Sequence, residues 1–338
     1  MSSPTIAVVG ATGAVGAEML SCLEAAAPAG AQVALFASPR SAGKTLSFRG
    51  AAATVQPLSP GAFIGVNVAL FASSKDVSRE YAPAARAQGA VVIDNSSAYR
   101  MDANTPLVVP EINGALLDHR PGLVANPNCT AAIMGMAIWP LHQRAPVRRI
   151  VASTYQAASG AGAAAMEELR ESTRAYLAGQ SYEPKVLPHP YAFNVFSHND
   201  KMDVESGYNG EETKVMAELR KIMAAPDLRI GITCVRVPVL RAHAMAMSIE
   251  FERPLSVDEA REALAAAPGV RVVDDRARNY FPMPVEASGG DDVLVGRLRP
   301  DLSDPSGRTM MLFASGDQLR KGAALNAVQI AAIVGGWS

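Results

Sequence analysis

The feature that most constrains the fold of this chain is a glycine-rich loop between a predicted strand and a predicted helix near its beginning. Residues 5–9 form an apolar, β-rich run of the length expected for a buried parallel strand. The loop that follows reads Gly10-Ala11-Thr12-Gly13-Ala14-Val15-Gly16. Glycines at such a junction allow a tight turn and bring a pyrophosphate close to the helix N-terminus. The segment therefore predicts a Rossmann-like dinucleotide-binding domain, with a tight turn that binds no ligand as the alternative.

The second predicted strand spans residues 32–37. The residues after it occupy the position that, in a dinucleotide site, contacts the ribose and so distinguishes one cofactor from another. An NAD site places an Asp or Glu there to bind the ribose 2′-hydroxyl. This chain has Ser38, Arg40 and Lys44 instead, and no carboxylate between positions 38 and 44. Cations and hydroxyls suit a 2′-phosphate, so the segment favours NADP(H). A solvated loop is the alternative.

Two further predicted strands, residues 66–72 and 90–94, continue the alternation of strands and helices. Ser73 follows the first and Arg100 lies shortly after the second. Because the carboxyl ends of strands in an open sheet face the ligand crevice, both side chains are expected at the site. The guanidinium of Arg100 suits an anion, although an ordinary surface arginine is the alternative.

Cys129 follows the turn formed by residues 126–128 and precedes the apolar run 131–136. The turn and the run together place Cys129 in the first turn of a helix. Free backbone N–H groups and the helix dipole favour a thiolate at such a position. We therefore expect a reactive cysteine, with a buried structural cysteine as the alternative.

The second half of the chain carries four candidate residues. His243 lies at a loop–strand junction, where an imidazole can act as an acid or base. Arg236 lies between apolar neighbours, and an interior arginine needs a partner or an anionic ligand. Glu218 and Lys221 share a face of a predicted helix, and a solvated ion pair is their alternative. A long C-terminal helix is expected from residue 317 to 334, in which Gly322 allows close backbone approach, with the cofactor as the candidate neighbour.

Composition limits the remaining possibilities. A chain of 338 residues is long for one hydrophobic core, so two domains are expected. The net charge of −1 gives no electrostatic case for binding nucleic acid or a membrane. The cysteines, Cys22, Cys129 and Cys234, are too far apart for a metal-ligand pattern and indicate a reducing compartment. No signal segment or membrane-spanning run is recognised, and a cytoplasmic location is expected.

Five segments together resemble the aspartate-β-semialdehyde dehydrogenase family over essentially the whole chain. They are the loop of residues 10–16, Asn126-Pro127-Asn128-Cys129-Thr130, residues 153–162, Arg236-Val237-Pro238-Val239 with His243, and residues 321–326. The resemblance implies reversible, NADPH-dependent conversion of 4-phospho-L-aspartate to L-aspartate-4-semialdehyde and inorganic phosphate, in the biosynthesis of lysine, threonine and methionine. It also implies a homodimer.

The expected architecture is α/β, with a Rossmann-like domain and an α+β catalytic and dimerisation domain. The first domain is expected at residues 1–127, completed by a C-terminal helix at 317–338. The second is expected at residues 128–316.

The resemblance also implies roles for individual residues. Cys129 is the implied nucleophile, His243 the acid/base catalyst, and Gln156 the group that orients the acyl intermediate. The implied substrate-binding residues are Arg236 for the α-carboxylate, Arg100 and Lys221 for phosphate, and Glu218 for the amino group. The expected cofactor-binding residues are Gly10, Thr12, Gly13, Ala14, Val15, Gly16, Ser38, Arg40, Ser73, Ser159, Gly160 and Gln318. No metal is expected.

Two choices in this assignment stay open. Gln318 stands where the family pattern has Asn, which puts its cofactor contact in doubt. The upstream pair Glu211 and Lys214 has the same spacing as Glu218 and Lys221, but only the second pair is followed by the expected Ile.

Two other functions are alternatives to this hypothesis. An N-acetyl-γ-glutamyl-phosphate reductase performs the same chemistry on a longer, N-acylated substrate, which has no free amino group for Glu218 to bind. A catalytically inactive relative would bind the cofactor in a structural or regulatory role. Loss of the cysteine or the histidine would mark such a protein, and this chain has both.

Overall fold

The structure, a computed structural model, describes residues 3–337, and these form two compact units. The first unit runs to Asn128 and resumes at Ala323, and the second spans Cys129–Gly322. Residues 317–322 therefore lie in the second unit, whereas the sequence predicted that they complete the first. Residues 1, 2 and 338 of the expected domains lie outside the described part.

Each unit combines helices with a seven-stranded sheet. The strands are β1 (Thr5–Val9), β2 (Gln32–Ala37), β3 (Thr45–Phe48), β4 (Ala51–Pro57), β5 (Val68–Phe71), β6 (Val91–Asp94), β7 (Leu123–Ala125), β8 (Val147–Gln156), β9 (Phe196–Ser197), β10 (Arg229–Arg236), β11 (His243–Phe251), β12 (Val270–Val272), β13 (Val293–Pro300) and β14 (Thr309–Gly316). The α-helices are α1 (Ala14–Ala26), α2 (Lys75–Ala87), α3 (Pro110–Asn113), α4 (Cys129–Arg144), α5 (Ala163–Leu177), α6 (Gly210–Ile222), α7 (Val257–Ala265), α8 (Pro284–Ala287) and α9 (Leu325–Gly335).

The first unit is built on a sheet with the strand order β3-β4-β2-β1-β5-β6-β7. All of its described strand pairs are parallel except β3 with β4, which is antiparallel. The order reverses at β1, which has β2 on one side and β5 on the other. In an open parallel sheet the ligand crevice lies at the carboxyl end of the strand where the order reverses. The glycine loop leaves β1 at that end, as the dinucleotide-site prediction requires.

In the glycine loop, the backbone of Gly16 packs closely against the backbone of Gly10. A Cβ at Gly16 would lie 2.2 Å from the carbonyl oxygen of Gly10, whereas one at Gly13 would lie 3.4 Å from the same oxygen. Gly10 has φ +86° and packs on the end of β5, where a Cβ would meet the Ala72 carbonyl oxygen at 2.4 Å. The loop thus needs glycine at positions 10 and 16 for steric reasons, whether or not a ligand is bound.

Gly16→Ala is expected to lower the free energy of unfolding by about 1–3 kcal/mol, because the added methyl overpacks a backbone contact. Gly13→Ala is the matched control in the same loop and should change stability far less. Urea denaturation of the two variants measures the difference. Equal stability of both would mean that the loop relaxes freely around residue 16.

The C-terminal helix begins later than predicted. The sequence indicated one helix from residue 317, but a π-helical turn spans Arg320–Ala324 and α9 starts at Leu325. The buried carboxylate of Asp317 explains the difference. Its Oδ1 accepts the backbone N–H groups of Leu319 at 2.9 Å and Arg320 at 3.2 Å, which fixes a turn before the helix can start.

Helix α9 completes the core of the first unit. Its residues Ala327, Val328 and Ile330 join Ile6 and Leu23 in one buried cluster. Because the sheet and α1 bury their apolar faces partly against α9, this unit is assembled from both ends of the described chain.

A buried asparagine pair fixes the turn before α4. Asn326 donates from Nδ2 to Oδ1 of Asn126 at 2.6 Å and to the carbonyl oxygen of Val108 at 2.8 Å. Asn126 in turn donates to Oδ1 of Asn95 at 2.7 Å and to the Ala323 carbonyl oxygen at 3.1 Å. These bonds satisfy polar groups that burial would otherwise penalise, and they hold the end of β7 in place.

The second unit contains a mixed sheet with the order β12-β13-β14-β11-β8-β10-β9. Helix α4 is apolar along nearly its whole length and packs on β8, β11, β13 and β14. In β8, residues alternate between a buried face and an open one, on which Val151 and Tyr155 are exposed. One face of this sheet therefore lies under helices, while the other is open in the described chain.

Among the residues described, no helix is both long and apolar enough to cross a membrane.

Candidate active site

Cys129 is the first residue of α4, as the sequence predicted. The first N–H groups of a helix have no intrahelical partner, so they and the helix dipole favour a thiolate at this position. Cys129 is partly accessible, whereas Cys22 and Cys234 are buried. Burial raises the pKa of the Cys234 thiol to about 12. Of the three cysteines, Cys129 therefore has the environment of a nucleophile.

Gly322 lies against Cys129. A Cβ at Gly322 would lie 2.8 Å from the Cβ of Cys129 and 3.2 Å from its Cα. The sequence indicated that this glycine permits a close approach, with the cofactor as the candidate neighbour, and the structure shows a close approach to Cys129. The π-helical turn at Arg320–Ala324 thus supports the residue that begins α4.

We expect Gly322→Ala to lower kcat by about 10- to 100-fold, because a displaced nucleophile reacts poorly even when the substrate is bound. The dissociation constant for NADPH should change little. Steady-state kinetics together with a fluorescence titration of NADPH measure both effects. A wild-type kcat in this variant would show that the backbone around Cys129 can shift to accommodate the methyl group without loss of activity.

His243 begins β11 and is 0% exposed. Its Nδ1 accepts the backbone N–H of Ala157 at 3.0 Å. Its Nε2 is buried and has no hydrogen-bond partner in the described residues. Burial lowers the pKa of His243 well below its usual value, and the neighbouring Arg236 guanidinium and His198 imidazole lower it further. The lowered pKa favours the neutral imidazole at physiological pH, and Nε2 is the ring nitrogen that makes no hydrogen bond within the described residues.

Arg236 ends β10 and is only 3% exposed. Its Nη1 donates to the carbonyl oxygen of Ala157 at 3.1 Å, and its Nε donates to Oδ1 of Asn199 at 3.1 Å. No carboxylate in the described residues forms an ion pair with it. A buried arginine without an acidic partner is costly unless an anion binds there, so Arg236 has the character of an anion-binding residue.

The loop after β8 lies across both of these side chains. A Cβ at Gly160 would lie 2.9 Å from Cε1 and 3.0 Å from Nε2 of His243, and 3.1 Å from Nη1 of Arg236. The backbone of Ala157 bonds to both residues, as described above. Residue 160 must therefore be glycine for the histidine and the arginine to keep their positions.

Gln318 and Ser159, both expected at the cofactor, hydrogen-bond to each other. The Nε2 of Gln318 donates to the Ser159 hydroxyl, and its Oε1 accepts the backbone N–H of Ala242 at 2.9 Å. Gln318 thereby connects the loop after β8 to the residue before His243. These hydrogen bonds give Gln318 a structural role that does not depend on contact with the cofactor.

Gln156 is buried at the end of β8 with both ends of its amide engaged. Its Oε1 accepts a hydrogen bond from Thr154 at 3.0 Å, and its Nε2 donates to Oε1 of Glu211 at 3.1 Å. Sequence reasoning set aside Glu211 in favour of Glu218. The structure places Glu211 in contact with a predicted catalytic residue. Its only signal in the sequence was a spacing of seven residues from Glu218, which puts both on one face of α6.

Glu218 is 1% exposed on α6, whereas Lys221 on the same helix is partly exposed. A solvated ion pair, the alternative considered from sequence, requires two exposed side chains, and the burial of Glu218 argues against it. A carboxylate withdrawn from water on a helix face indicates a functional or structural polar site.

In the first unit, Arg100 is buried, and backbone carbonyl oxygens hold its guanidinium. Its Nε donates to Asn126 at 2.9 Å, and its Nη2 donates to Asn95 at 2.6 Å. These two carbonyl acceptors orient the guanidinium of Arg100.

The expected cofactor residues of the first unit cluster at the carboxyl ends of β1, β2 and β5. Ser38 and Arg40 are exposed on a short 3₁₀ turn after β2, and Thr12 donates to the Ser41 hydroxyl at 3.2 Å. The hydroxyl of Ser73 is buried without a partner in the described residues. A glycine loop beside an unsatisfied hydroxyl fits a dinucleotide.

Family models match most of the chain. Residues 5–119 match "Semialdehyde dehydrogenase, NAD binding domain", and residues 138–321 match "Semialdehyde dehydrogenase, dimerisation domain".

Individual relatives cover the full length. Aspartate-semialdehyde dehydrogenase of Synechocystis sp. is 51% identical over 340 residues, covering 100% of both chains. The protein of the same name from Bacillus subtilis is 44% identical and covers 96% of both. A crystal structure of aspartate semialdehyde dehydrogenase II from Vibrio cholerae, complexed with ASA, is 37% identical with a TM-score of 0.94, covering 99% of this chain and 98% of that one. On its fold, its motifs and these similarities, the chain belongs to the aspartate-semialdehyde dehydrogenase family.

Proposed function

We propose that the chain catalyses reversible, NADPH-dependent reductive dephosphorylation of 4-phospho-L-aspartate through a thioester on Cys129. The observation that carries the assignment of the substrate site is Arg236, a buried arginine without a carboxylate partner in the described residues, held beside His243 by Ala157. A substrate with an α-carboxylate supplies the missing anion, and the planar fork of arginine suits a bidentate grip.

In the proposed reaction, the Cys129 thiolate attacks the acyl phosphate carbon, and phosphate leaves to give a thioester. NADPH, when bound, supplies the hydride that reduces this thioester. The resulting thiohemiacetal collapses to the aldehyde and returns the thiolate. His243 acts opposite the oxygen on which negative charge develops, and Gln156 orients the acyl group.

The remaining substrate contacts follow the family resemblance. We assign the free amino group of the substrate to Glu218, and the phosphate to Arg100 and Lys221. The burial of Glu218 and Arg100 supports their roles, since a surface residue would bind a small anion or cation weakly in water.

We propose NADP(H) rather than NAD(H) as the cofactor. The turn after β2 offers Ser38, Arg40 and Lys44 and no carboxylate, which suits a 2′-phosphate. Fluorescence titrations of NADPH and NADH with the wild type and with Arg40→Ala test this. Arg40→Ala should weaken NADPH binding alone, and a wild type that prefers NADH would contradict the proposal.

We propose that a homodimer forms through the open face of the second sheet. There, Val151 is 41% and Tyr155 is 37% exposed, and the ring of Tyr155 lies 6.1 Å from that of Phe313. Exposed aromatic and aliphatic groups on a flat sheet mark a protein interface.

Val151→Arg is expected to convert the dimer to monomer, because it places a long charged side chain on that face, and the core of a protein interface is depleted of charged residues. Ile64→Arg, at a residue 80% exposed in the first unit, is the matched control. Light scattering after size-exclusion chromatography reads out the mass. A dimer in both variants would place the interface elsewhere.

A cytoplasmic location is proposed as well. Cys22, Cys129 and Cys234 are all free thiols in the structure, and the proposed chemistry needs Cys129 reduced.

The decisive test is phosphate-dependent reduction of NADP⁺ with L-aspartate-4-semialdehyde, run beside N-acetyl-glutamate semialdehyde. Turnover with the first substrate alone is expected. Turnover with the second would move the chain to the N-acetyl-γ-glutamyl-phosphate reductases and remove the role of Glu218. Inactivity with both, despite NADPH binding, would indicate an inactive relative.

A further inference from the structure

Two neighbouring carboxylates, Glu211 and Glu212, are buried at the start of α6 and make different contacts. The Oε2 of Glu212 accepts the backbone N–H of Asn209 at 2.9 Å, as part of a capping box. Its Oε1 accepts the backbone N–H of Cys234 at 2.9 Å. Glu212 therefore stabilises the start of the helix and attaches it to β10.

Glu211 contacts the side chain of a residue at the end of β8. Its Oε1 accepts a hydrogen bond from Nε2 of Gln156 at 3.1 Å. Gln156 is buried and lies opposite Arg236 in the parallel pairing of β8 with β10. The carboxylate of Glu211 thus reaches the row of side chains that the proposed function assigns to the substrate.

This contact determines which way round the amide of Gln156 lies. An ionised carboxylate can only accept hydrogen bonds, so the NH₂ group of the amide must lie against Glu211. The carbonyl end then lies against Thr154, whose hydroxyl donates to Oε1 of Gln156 at 3.0 Å. A hydroxyl can donate or accept and is compatible with either orientation, whereas the carboxylate is compatible with one. Glu211 is therefore the partner that fixes the amide.

A cation lies beside the same carboxylate. The ammonium group of Lys214 is 3.9 Å from Oε2 of Glu211, and it also pairs with Asp200. An opposite charge at this distance favours the ionised carboxylate, which is the form that only accepts hydrogen bonds. The surroundings of Glu211 thus support its ability to select one amide orientation.

We propose that Glu211 is a positioning residue, whose carboxylate holds the amide of Gln156 in the orientation that serves the acyl group on Cys129. The inference rests on the function proposed above and adds a residue to it. Glu211 acts through Gln156 and does not itself touch the substrate. Its effect on turnover should therefore disappear when Gln156 is absent.

Steady-state kinetics of Glu211→Met and Glu211→Gln, with L-aspartate-4-semialdehyde, phosphate and NADP⁺, test the contact. Methionine has a similar length but only a weakly accepting sulfur, so the amide loses the group that orients it. The kcat of this variant should fall by about 10- to 100-fold, with little change in KM for the semialdehyde. Glutamine keeps an oxygen that can accept the same hydrogen bond, and it should recover at least about threefold of that loss. Wild-type kcat in Glu211→Met, or a Glu211→Gln variant equally slow, would contradict the proposal.

A double-mutant cycle separates positioning from a general structural effect. Gln156→Ala should lower kcat by itself, and adding Glu211→Met to it should change kcat by less than about twofold further. The coupling between the two residues would then be nearly as large as the effect of Glu211→Met in the wild type. Effects that multiply would show that Glu211 acts independently of Gln156, and would overturn the proposal.

Glu212→Gln is the matched control, because it removes the same charge from the adjacent residue. Its amide has one oxygen for the two backbone N–H groups that the carboxylate accepts, so the midpoint of thermal unfolding should fall. Its kcat should stay within about threefold of the wild type, since the contact to Gln156 is kept. A kcat as low as that of Glu211→Met would show that turnover depends on the start of α6 as a whole, against the proposal.

The proposed function and this inference fail in different ways. A wild type inactive on both semialdehydes would refute both of them. An active wild type in which the effects of Glu211→Met and Gln156→Ala multiply would keep the function and refute the inference.

Discussion

Replacing Cys129 with alanine is expected to abolish turnover, by at least about 10⁴-fold, and to leave NADPH binding unchanged. The residue begins α4 and is the partly accessible member of the three free cysteines. Without its sulfur no thioester forms, and no other group of the proposed mechanism can take its place. The glycine loop that we assign to the cofactor lies in the first unit, whereas Cys129 belongs to the second. Cys129→Ala should therefore lose turnover and still bind NADPH.

Cys234→Ala is the matched control. Cys234 is a buried thiol of the same unit with its pKa raised to about 12, so it is not a thiolate at neutral pH and its loss should spare catalysis. Stopped assays give turnover, fluorescence gives NADPH binding, and circular dichroism confirms folding. Loss of NADPH binding together with turnover in the Cys129 variant would mark that residue as structural. Full activity would eliminate the thioester mechanism.

Gly160→Ala is expected to lower kcat/KM by about 10²-fold, because misplacement of catalytic groups by about 1 Å has effects of that size. The added methyl would lie 2.9 Å from His243 and 3.1 Å from Arg236. Both are buried and fixed to the backbone of Ala157, so neither can move away without breaking a hydrogen bond.

Gly61→Ala serves as the control for this variant, since a Cβ there meets no atom within 4 Å. It should retain wild-type kinetics. Thermal unfolding of both variants separates a local effect from loss of the fold. If Gly160→Ala were fully active and equally stable, the loop after β8 would have to be more adaptable than its contacts indicate.

Local signals in the sequence predicted much of this molecule. The glycine loop after β1 and the helix beginning at Cys129 depend on neighbouring residues, whose turn and helix preferences act over a few positions. Parts of the site were predicted for the same reason. Arg236 and His243 each stand at a strand end, where topology directs side chains toward a ligand.

The features that sequence reasoning missed depend on tertiary contacts that no local sequence pattern shows. The bond from Gln156 to Glu211 joins residues 55 positions apart, and no local pattern shows that α6 delivers this carboxylate to the end of β8. The late start of α9 has the same origin. Residues 317–334 have good helix propensity, but the carboxylate of Asp317 accepts backbone N–H groups and fixes a turn instead. Tertiary contacts override propensity in both cases.

The return of the chain at Ala323 affects how the protein is made. Residues after this point supply part of the core around β1 and α1. On a ribosome, the first unit is therefore synthesised almost entirely before the helix that closes it exists, and the second unit is complete earlier. The core around β1 and α1 therefore stays incomplete until α9 has been synthesised. A message cut short before α9 would release a nucleotide-binding region with an uncovered apolar face, which makes it a substrate for chaperones and proteases.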